Sequence, residues 1–207
     1  MDKELFRVII SENQEYIGNI PLVERPLDLE ESGNYVFVGV RQAGKSYLLY
    51  QRVQQMLKKG TRLEDIVYIN FDDERLLGMT SDDFDLILQA YHSMYDGSPV
   101  FFFDEIQNVD GWANFARRLA NRKYRVYVTG SNAKMLRRDV ETVLGGRYLD
   151  VKVFPYSFCE FLSASGEKLT SGWQYGRKAD NLQRLFRTYF EWGGFPELVN
   201  FREKRVW

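Results

Sequence analysis

Eight consecutive residues narrow what this chain can fold into more sharply than any other feature. Gly39-Val-Arg-Gln-Ala-Gly-Lys-Ser46 matches G-x-x-x-x-G-K-[ST] in full. Its glycines permit a tight turn and let backbone N–H groups come close to an anion. Those groups, together with the start of the helix that follows, offer positive potential to phosphate. Lys45 is then expected to reach the β- and γ-phosphates, and the Ser46 hydroxyl to ligate Mg²⁺. The setting is right for a phosphate cradle. The apolar run Tyr35 to Val38 precedes the loop as a strand, and Lys45 to Lys59 follows as a helix. Leu48, Leu49, Val53, Met56 and Leu57 line one stripe of it, and Gly60 stops it. A glycine-rich turn that binds nothing is the plain alternative.

A second pattern strengthens the first. Val100-Phe-Phe-Phe-Asp-Glu105 is an unbroken apolar run ending in two acids. It predicts a strand buried on both faces, as parallel sheets require, and has the form of a Walker B strand beside the Walker A loop. Asp104 at its tip is expected to hold Mg²⁺, commonly through water. Glu105 is placed to polarise the water that attacks the γ-phosphate. A P-loop kinase more often brings an acceptor hydroxyl there, so an acid directly after the aspartate favours hydrolysis. The bland reading is a solvated Asp-Glu turn after a core strand.

The remaining chain alternates strand-like and helix-like stretches. Ile66 to Phe71, Tyr124 to Thr129 and Tyr148 to Val153 read as strands. Phe84, Ile87, Leu88, Tyr91, Met94 and Tyr95 share a helical face. Trp112, Phe115, Ala116 and Leu119 share another, with Asp110 as its expected N-cap. This alternation predicts an α/β three-layer sandwich with a mainly parallel five-stranded sheet and a ligand along the strand C-termini. In the glutamate-bearing class of such proteins, the 124–129 strand lies between the phosphate-loop strand and the Asp104 strand. Residues 1–30 are expected to flank this core as a helix (Lys3 to Asn13) and a linker with Pro21 and Pro26. The core would occupy 31–165. Residues 166–207, with Leu182, Leu185, Phe186, Tyr189 and Phe190 at helical spacing, would begin a helical lid. The charged end, Phe201 to Trp207, follows a helical pattern directly, and a further C-terminal domain is expected beyond it.

Two more positions invite chemistry. Val126-Tyr-Val-Thr-Gly-Ser-Asn132 ends a strand in polar residues, and Asn132 or Ser131 is the candidate to touch both γ-phosphate and attacking water. A strand-to-helix turn with an N-cap is the alternative. Arg147, after Gly145 and Gly146, is a candidate to reach a phosphate, its own or a neighbour's. Otherwise it is a surface arginine at a turn, where most arginines are found.

Composition removes several classes. With 28 basic and 29 acidic residues the net charge is −1, which gives no global reason to expect nucleic acid or an anionic membrane. A single cysteine, Cys159, excludes an internal disulfide framework and a cysteine-rich zinc site. It fits a reducing cytoplasm, the expected location. The lone histidine, His92, lies in a helical stretch with nothing nearby to make a hydrolase triad. No apolar run approaches the length of a membrane span.

The motifs in their order resemble the prokaryotic AAA-superfamily ATPases close to the STAND group, many of which carry a C-terminal domain of unknown function. The matching pieces are the Gly39–Ser46 loop, Phe103-Asp-Glu-Ile-Gln-Asn-Val, Thr129-Gly-Ser-Asn, Gly146-Arg147, Phe154-Pro-Tyr-Ser-Phe-Cys-Glu-Phe-Leu and Gly193-Gly-Phe-Pro-Glu-Leu. The resemblance implies sheet order 5-1-4-3-2, a helical lid, and Pro196 packed near an adenine. With the motif chemistry above, the expected ATP site is Gly39, Arg41, Gln42, Ala43, Gly44, Lys45, Ser46, Tyr47 and Pro196, with Lys45, Glu105, Asn132 and Arg147 catalytic and Ser46 and Asp104 on Mg²⁺. One departure stands out. Such proteins commonly carry two arginines in the loop, whereas here Arg41 is followed by Gln42, which puts any partner contact through the second in doubt.

The expected function is an Mg-dependent ATPase or ATP-driven switch yielding ADP and phosphate, with self-association or an effector protein as partner. A non-hydrolysing nucleotide-binding regulatory module stays open. So does a nucleic-acid-associated motor or loader, for which Arg117, Arg118, Arg122, Lys123 and Arg125, and Arg137 with Arg138, supply basic clusters. A small-molecule kinase lacks an acceptor-binding motif. The absence of an Asn-Lys-x-Asp guanine-reading motif leans the reading to ATP over GTP.

Overall fold

Strand-forming runs and amphipathic runs alternate in the fold as they do in the sequence. In the computed structural model, residues 1–131, 140–169 and 176–200 are described, apart from the side chains of residues 140, 141, 176 and 200. Strands β1 (Tyr35–Gly39), β2 (Ile66–Asn70), β3 (Val100–Asp104), β4 (Arg125–Gly130) and β5 (Leu149–Val153) form one sheet in the order β2-β3-β4-β1-β5. Every pairing is parallel. This is the expected order 5-1-4-3-2 read from the other edge, with β4 between β1 and β3. The register sets Phe103 opposite Val128 and Asn70 opposite Asp104, so the strand C-termini end level.

Period-2 alternation sorts the strand side chains onto two cores. Val36, Val67, Ile69, Phe101, Phe103, Val126 and Val128 meet helices α1 (Lys3–Ile17), α3 (Phe84–Met94) and α4 (Trp112–Asn121). Tyr35, Phe37, Tyr68, Phe102 and Tyr127 meet α2 (Lys45–Lys58) through Leu48, Leu49, Val53 and Met56. All five residues of β3 are buried, and each buried Phe there stabilises the fold by about 1.5–3 kcal/mol. Phe102 also stacks on Tyr127, with ring centroids 4.8 Å apart.

The N-terminal helix departs from its expected role as a flanking element. Phe6, Ile9 and Ile10 are fully buried in the main core. The helix also runs four residues past Asn13, to Ile17. Polar residues hid that extension from a hydrophobic count, because they have structural work at the sheet edge. Asn13 donates to the Tyr68 carbonyl at 3.0 Å and Gln14 to the Ile66 carbonyl at 2.9 Å, which caps the exposed side of edge strand β2. A smaller correction concerns α4. Gly111, at φ 79°, occupies its N-cap with no side-chain bond, so Asp110 is not the cap. Gly111 supplies the left-handed turn there in place of a side-chain acceptor.

Beyond the sheet, α5 (Phe158–Ala164), α6 (Gly176–Trp192) and α7 (Pro196–Asn200) make a small third cluster around Phe161, Leu162 and Leu185. Among the described residues no helix is long and apolar enough to cross a membrane.

Candidate functional site

The Gly39–Ser46 loop leaves the C-terminal end of β1 and runs straight into α2, so the helix N-terminus and the loop amides face the same space. Two glycines explain themselves. A Cβ at Gly39 would collide with the Val153 carbonyl of β5, and Gly44 sits at φ 90° as the N-cap of α2. Gln42 takes a left-handed φ of 61° without being glycine, conformational cost of the kind that clusters at functional loops. Lys45 is 4% exposed and lies folded over its own loop, donating to the carbonyls of Gly39 (3.2 Å) and Val40 (3.1 Å). Its Nζ is also 3.6 Å from Glu105 Oε1. Arg41 and Tyr47 are exposed beside the loop, and Ala43 is buried under it.

Asp104 closes β3 with 2% exposure. Two hydroxyls hold its carboxylate: Tyr68 donates to Oδ2 at 2.7 Å and Thr129 donates to Oδ1, and the Ser46 hydroxyl lies near enough to help lower its pKa. Burial nonetheless pushes its pKa above the ordinary value, and the hydroxyls hold it down in part. The meeting of Ser46 and Asp104 gives two hard oxygen donors at the mouth of the phosphate loop. That suits Mg²⁺, which is usually held by one or two protein oxygens, with phosphates and water completing the shell. No cluster of three or more His, Cys, Asp or Glu able to hold a metal occurs among the described residues.

Glu105 leaves the strand at φ 49°, ψ 42°. This left-handed turn is held by its own N–H, which donates to Thr129 Oγ1 at 3.0 Å. Thr129 therefore touches both acids at once. The Glu105 carboxylate accepts from Gln107 Nε2 (2.6 Å), Ser131 N–H (3.1 Å) and the Ser131 hydroxyl (2.8 Å). Burial raises its pKa, but the donors from Gln107 and Ser131, with Lys45 nearby, outweigh it and leave the group below its ordinary value.

On the other side of the loop lies a pocket of about 440 Å³ walled by Leu22, Val23, Gly44, Tyr47, Tyr156 and Pro196. Pro196 Cγ lies 3.6 Å from where a Gly44 Cβ would be. The structure thus brings Gly39 to Tyr47, Asp104, Glu105, Ser131 and Pro196 to one edge of the sheet. Asn132 lies outside the described residues. Arg147 is elsewhere. It precedes β5, so it sits at the N-terminal end of a parallel strand whose C-terminal end faces the loop. Five residues of strand separate the two ends, roughly 16 Å. Its exposed side chain donates to Asn121 Oδ1 at 2.7 Å and toward the carbonyls of Leu144 and Gly145. Strand polarity thus separates Arg147 from the phosphate loop of its own chain. His92 is an exposed helix residue.

Tyr68, Thr129, Gln107 and Arg25 belong to this edge but are not singled out by sequence. Thr129 and Gln107 both fall within motifs visible in the sequence, and only the strand register shows that Thr129 borders Asp104. Tyr68 reads as an ordinary aromatic strand residue until β2 is known to pair with β3.

A family model described as an AAA domain matches residues 31–162. An uncharacterized protein of Methanocaldococcus jannaschii is 32% identical over 206 residues, which cover 99% of this chain and 45% of that protein. An uncharacterized protein of Haemophilus influenzae is 35% identical over 166 residues, covering 79% and 40% respectively. The chain therefore spans less than half the length of these curated relatives. Among solved structures, Hsp104 of S. cerevisiae in its casein complex, extended conformation, is similar with a TM-score of 0.52 at 13% identity, covering 92% of this chain and 35% of that one. At that identity the likeness is one of fold.

Proposed function

The chain belongs to the AAA domain family, and on that premise we propose that it binds ATP with Mg²⁺ and hydrolyses it to ADP and phosphate, driving a conformational switch. One observation supports this most: Lys45, Ser46, Asp104 and Glu105 converge at the mouth of one loop, with Lys45 Nζ 3.6 Å from Glu105 Oε1. In this reading Lys45 leaves its loop carbonyls for the β- and γ-phosphates. Ser46 and Asp104 would hold Mg²⁺, which supplies charge neutralisation at the transferring phosphoryl group. Glu105 accepts the proton of the attacking water, and Ser131 orients its carboxylate. Pro196 flanks the base, as the STAND-like resemblance implies, and Tyr47 lines the same pocket. Catalytic work by Asn132 belongs to the same proposal.

Arg147 enters through a second copy. Being exposed at the far end of the sheet, it is available to a neighbour's γ-phosphate, where a positioned arginine is worth roughly 10³ to 10⁵ in rate. The specific activity of such an ATPase rises with protein concentration, and Arg147→Ala lowers turnover far more than affinity. Parental turnover for that variant across a wide concentration range leaves Arg147 a surface residue.

A non-hydrolysing switch is favoured by one specific observation. Glu105 Oε2 accepts three hydrogen bonds and the group's pKa is lowered, which makes it a weak base while it stays so held. Calorimetric titration with Mg-ATP and Mg-GTP, followed by phosphate release, separates the readings. Binding of ATP over GTP with steady turnover is expected. Binding without turnover selects the switch, and no binding of either nucleotide removes the proposal.

A further inference from the structure

We propose that Arg25 is a positioning residue that sets the width of the base pocket, and so the affinity for the nucleoside half of the ligand. This rests on the reading of the phosphate loop given above and extends it to a residue of the linker.

Arg25 lies in the extended segment before β1, yet its guanidinium ties four parts of the chain together. Nε donates to Glu160 Oε1 at 2.7 Å, Nη1 to the Ala43 carbonyl at 3.0 Å, and Nη2 to the Phe154 carbonyl at 2.9 Å. The group also lies over the Tyr156 ring, 5.2 Å from its centroid. Its backbone is bracketed by Gln51 of α2, whose amide accepts from Arg25 N–H at 3.0 Å and donates to Arg25 carbonyl at 2.8 Å. The Arg25–Glu160 pair is well covered, with side chains 10% and 14% exposed. A planar fork with divergent donors is what such a junction needs; a single ammonium cannot face three acceptors set around a plane.

The segment that Arg25 grips leads on to the far wall of the pocket. Tyr156 N–H donates to the Gly194 carbonyl at 2.7 Å, and the Tyr189 hydroxyl to the Tyr156 carbonyl at 2.8 Å. Pro196 follows two residues after Gly194. The point where a Gly44 Cβ would sit is 3.6 Å from both Arg25 Nη1 and Pro196 Cγ, so the strut and the proline meet beside the same loop glycine. Freeing Arg25 unfastens the linker wall (Leu22, Val23) and the proline wall from the loop. Lys45, Ser46, Asp104 and Glu105 are fixed by other partners and keep their places.

The test is calorimetry on Arg25→Gln, Arg25→Lys, Glu160→Gln and the parent, with the Mg complexes of a non-hydrolysable ATP analogue and of inorganic tripolyphosphate. Arg25→Gln is expected to weaken the analogue about tenfold or more, the size of one or two lost charge-assisted bonds. Arg25→Lys and Glu160→Gln should lie between it and the parent, and tripolyphosphate affinity should stay within about twofold, since that ligand touches no base wall. In steady state the loss falls on KM rather than on turnover at saturation. If Arg25→Gln does not fold, the ordering of Arg25→Lys and Glu160→Gln carries the same test. Variants that match the parent for the analogue, or lose both ligands equally, overturn this proposal and leave the phosphate loop standing. A parent that binds neither ligand overturns the underlying reading, a distinct result.

Discussion

The carboxylate edge and the base pocket abut the same phosphate loop, but they are built by different means. At the carboxylate edge each group sits on a strand end, and the sheet register alone brings Asp104, Thr129 and Glu105 together. The pocket has no such frame. Its walls are an extended linker and a five-residue helix, and Arg25 is their shared fastening. A buried, sheet-built centre is preorganised for charge, whereas a pocket closed by side-chain ties can open. Rate is therefore expected to depend on the first region and affinity on the second.

The largest effect should come from Glu105→Gln. The amide keeps the shape and loses the proton acceptor, so turnover falls by about 10² to 10⁴. Affinity for Mg-ATP by calorimetry should hold. If affinity collapses along with rate, the two regions are not separable as claimed.

Lys45→Ala is expected to cut Mg-ATP affinity by about 10- to 100-fold, the worth of charge-assisted bonds to phosphate, with circular dichroism unchanged. Lys45 belongs to both regions' common loop, and its loss should weaken tripolyphosphate as much as ATP. Equal affinity in mutant and parent would remove the phosphate-loop assignment.

The sequence showed one of these regions far better than the other. The loop and the Asp104–Glu105 pair are contiguous motifs whose spacing is dictated by the ligand, so a linear reading finds them. Sheet order followed from the resemblance, and the alternation of elements agreed with it. Tyr68 and Thr129 needed register: each looks like a strand residue until β2, β3 and β4 are aligned. Arg25 needed tertiary structure altogether, because its acceptors are 18, 129 and 135 residues away. Arg147 shows the converse case, in which a linear motif leaves the position open. Glycines beside an arginine suggested reach, but the direction of β5 decides which end of the sheet it occupies.

Thr129→Val sharpens the claim that strand ends fix the carboxylates. Valine keeps the volume but removes the hydroxyl that donates to Asp104 and accepts from Glu105 N–H. Leaving buried partners unsatisfied costs about 1–2 kcal/mol, or roughly 2–4 °C of melting temperature per kcal/mol at this chain length. Turnover should drop with it while KM for ATP holds. A rise in KM at constant turnover would assign Thr129 to affinity and blur the distinction.

The smallest effect, and the one that sets the two regions most directly against each other, is their response to acid. Glu160 carries burial that raises its pKa, yet Arg25 and the Ser157 cap outweigh it and leave the group below its ordinary 4.5. Its ionised form is therefore stabilising: the contribution is complete above about pH 4.5 and fades as pH falls through the lowered value. Asp104 has the opposite sign. Burial lifts its pKa above 3.8, so its ionisation costs stability at neutral pH and acid relieves that cost. Melting curves of parent, Glu160→Gln and Asp104→Asn from pH 7 to pH 3.5 read both. The parent should exceed Glu160→Gln by about 1 kcal/mol at neutrality, or about 2–4 °C, with the gap closing in acid. Relative to Asp104→Asn the parent should gain stability as the pH falls, the opposite trend to the Glu160 pair. A gap for Glu160→Gln that is flat across this range would mean that the Arg25 ion pair adds no charge-dependent fastening, and that the linker and lid are held by packing alone.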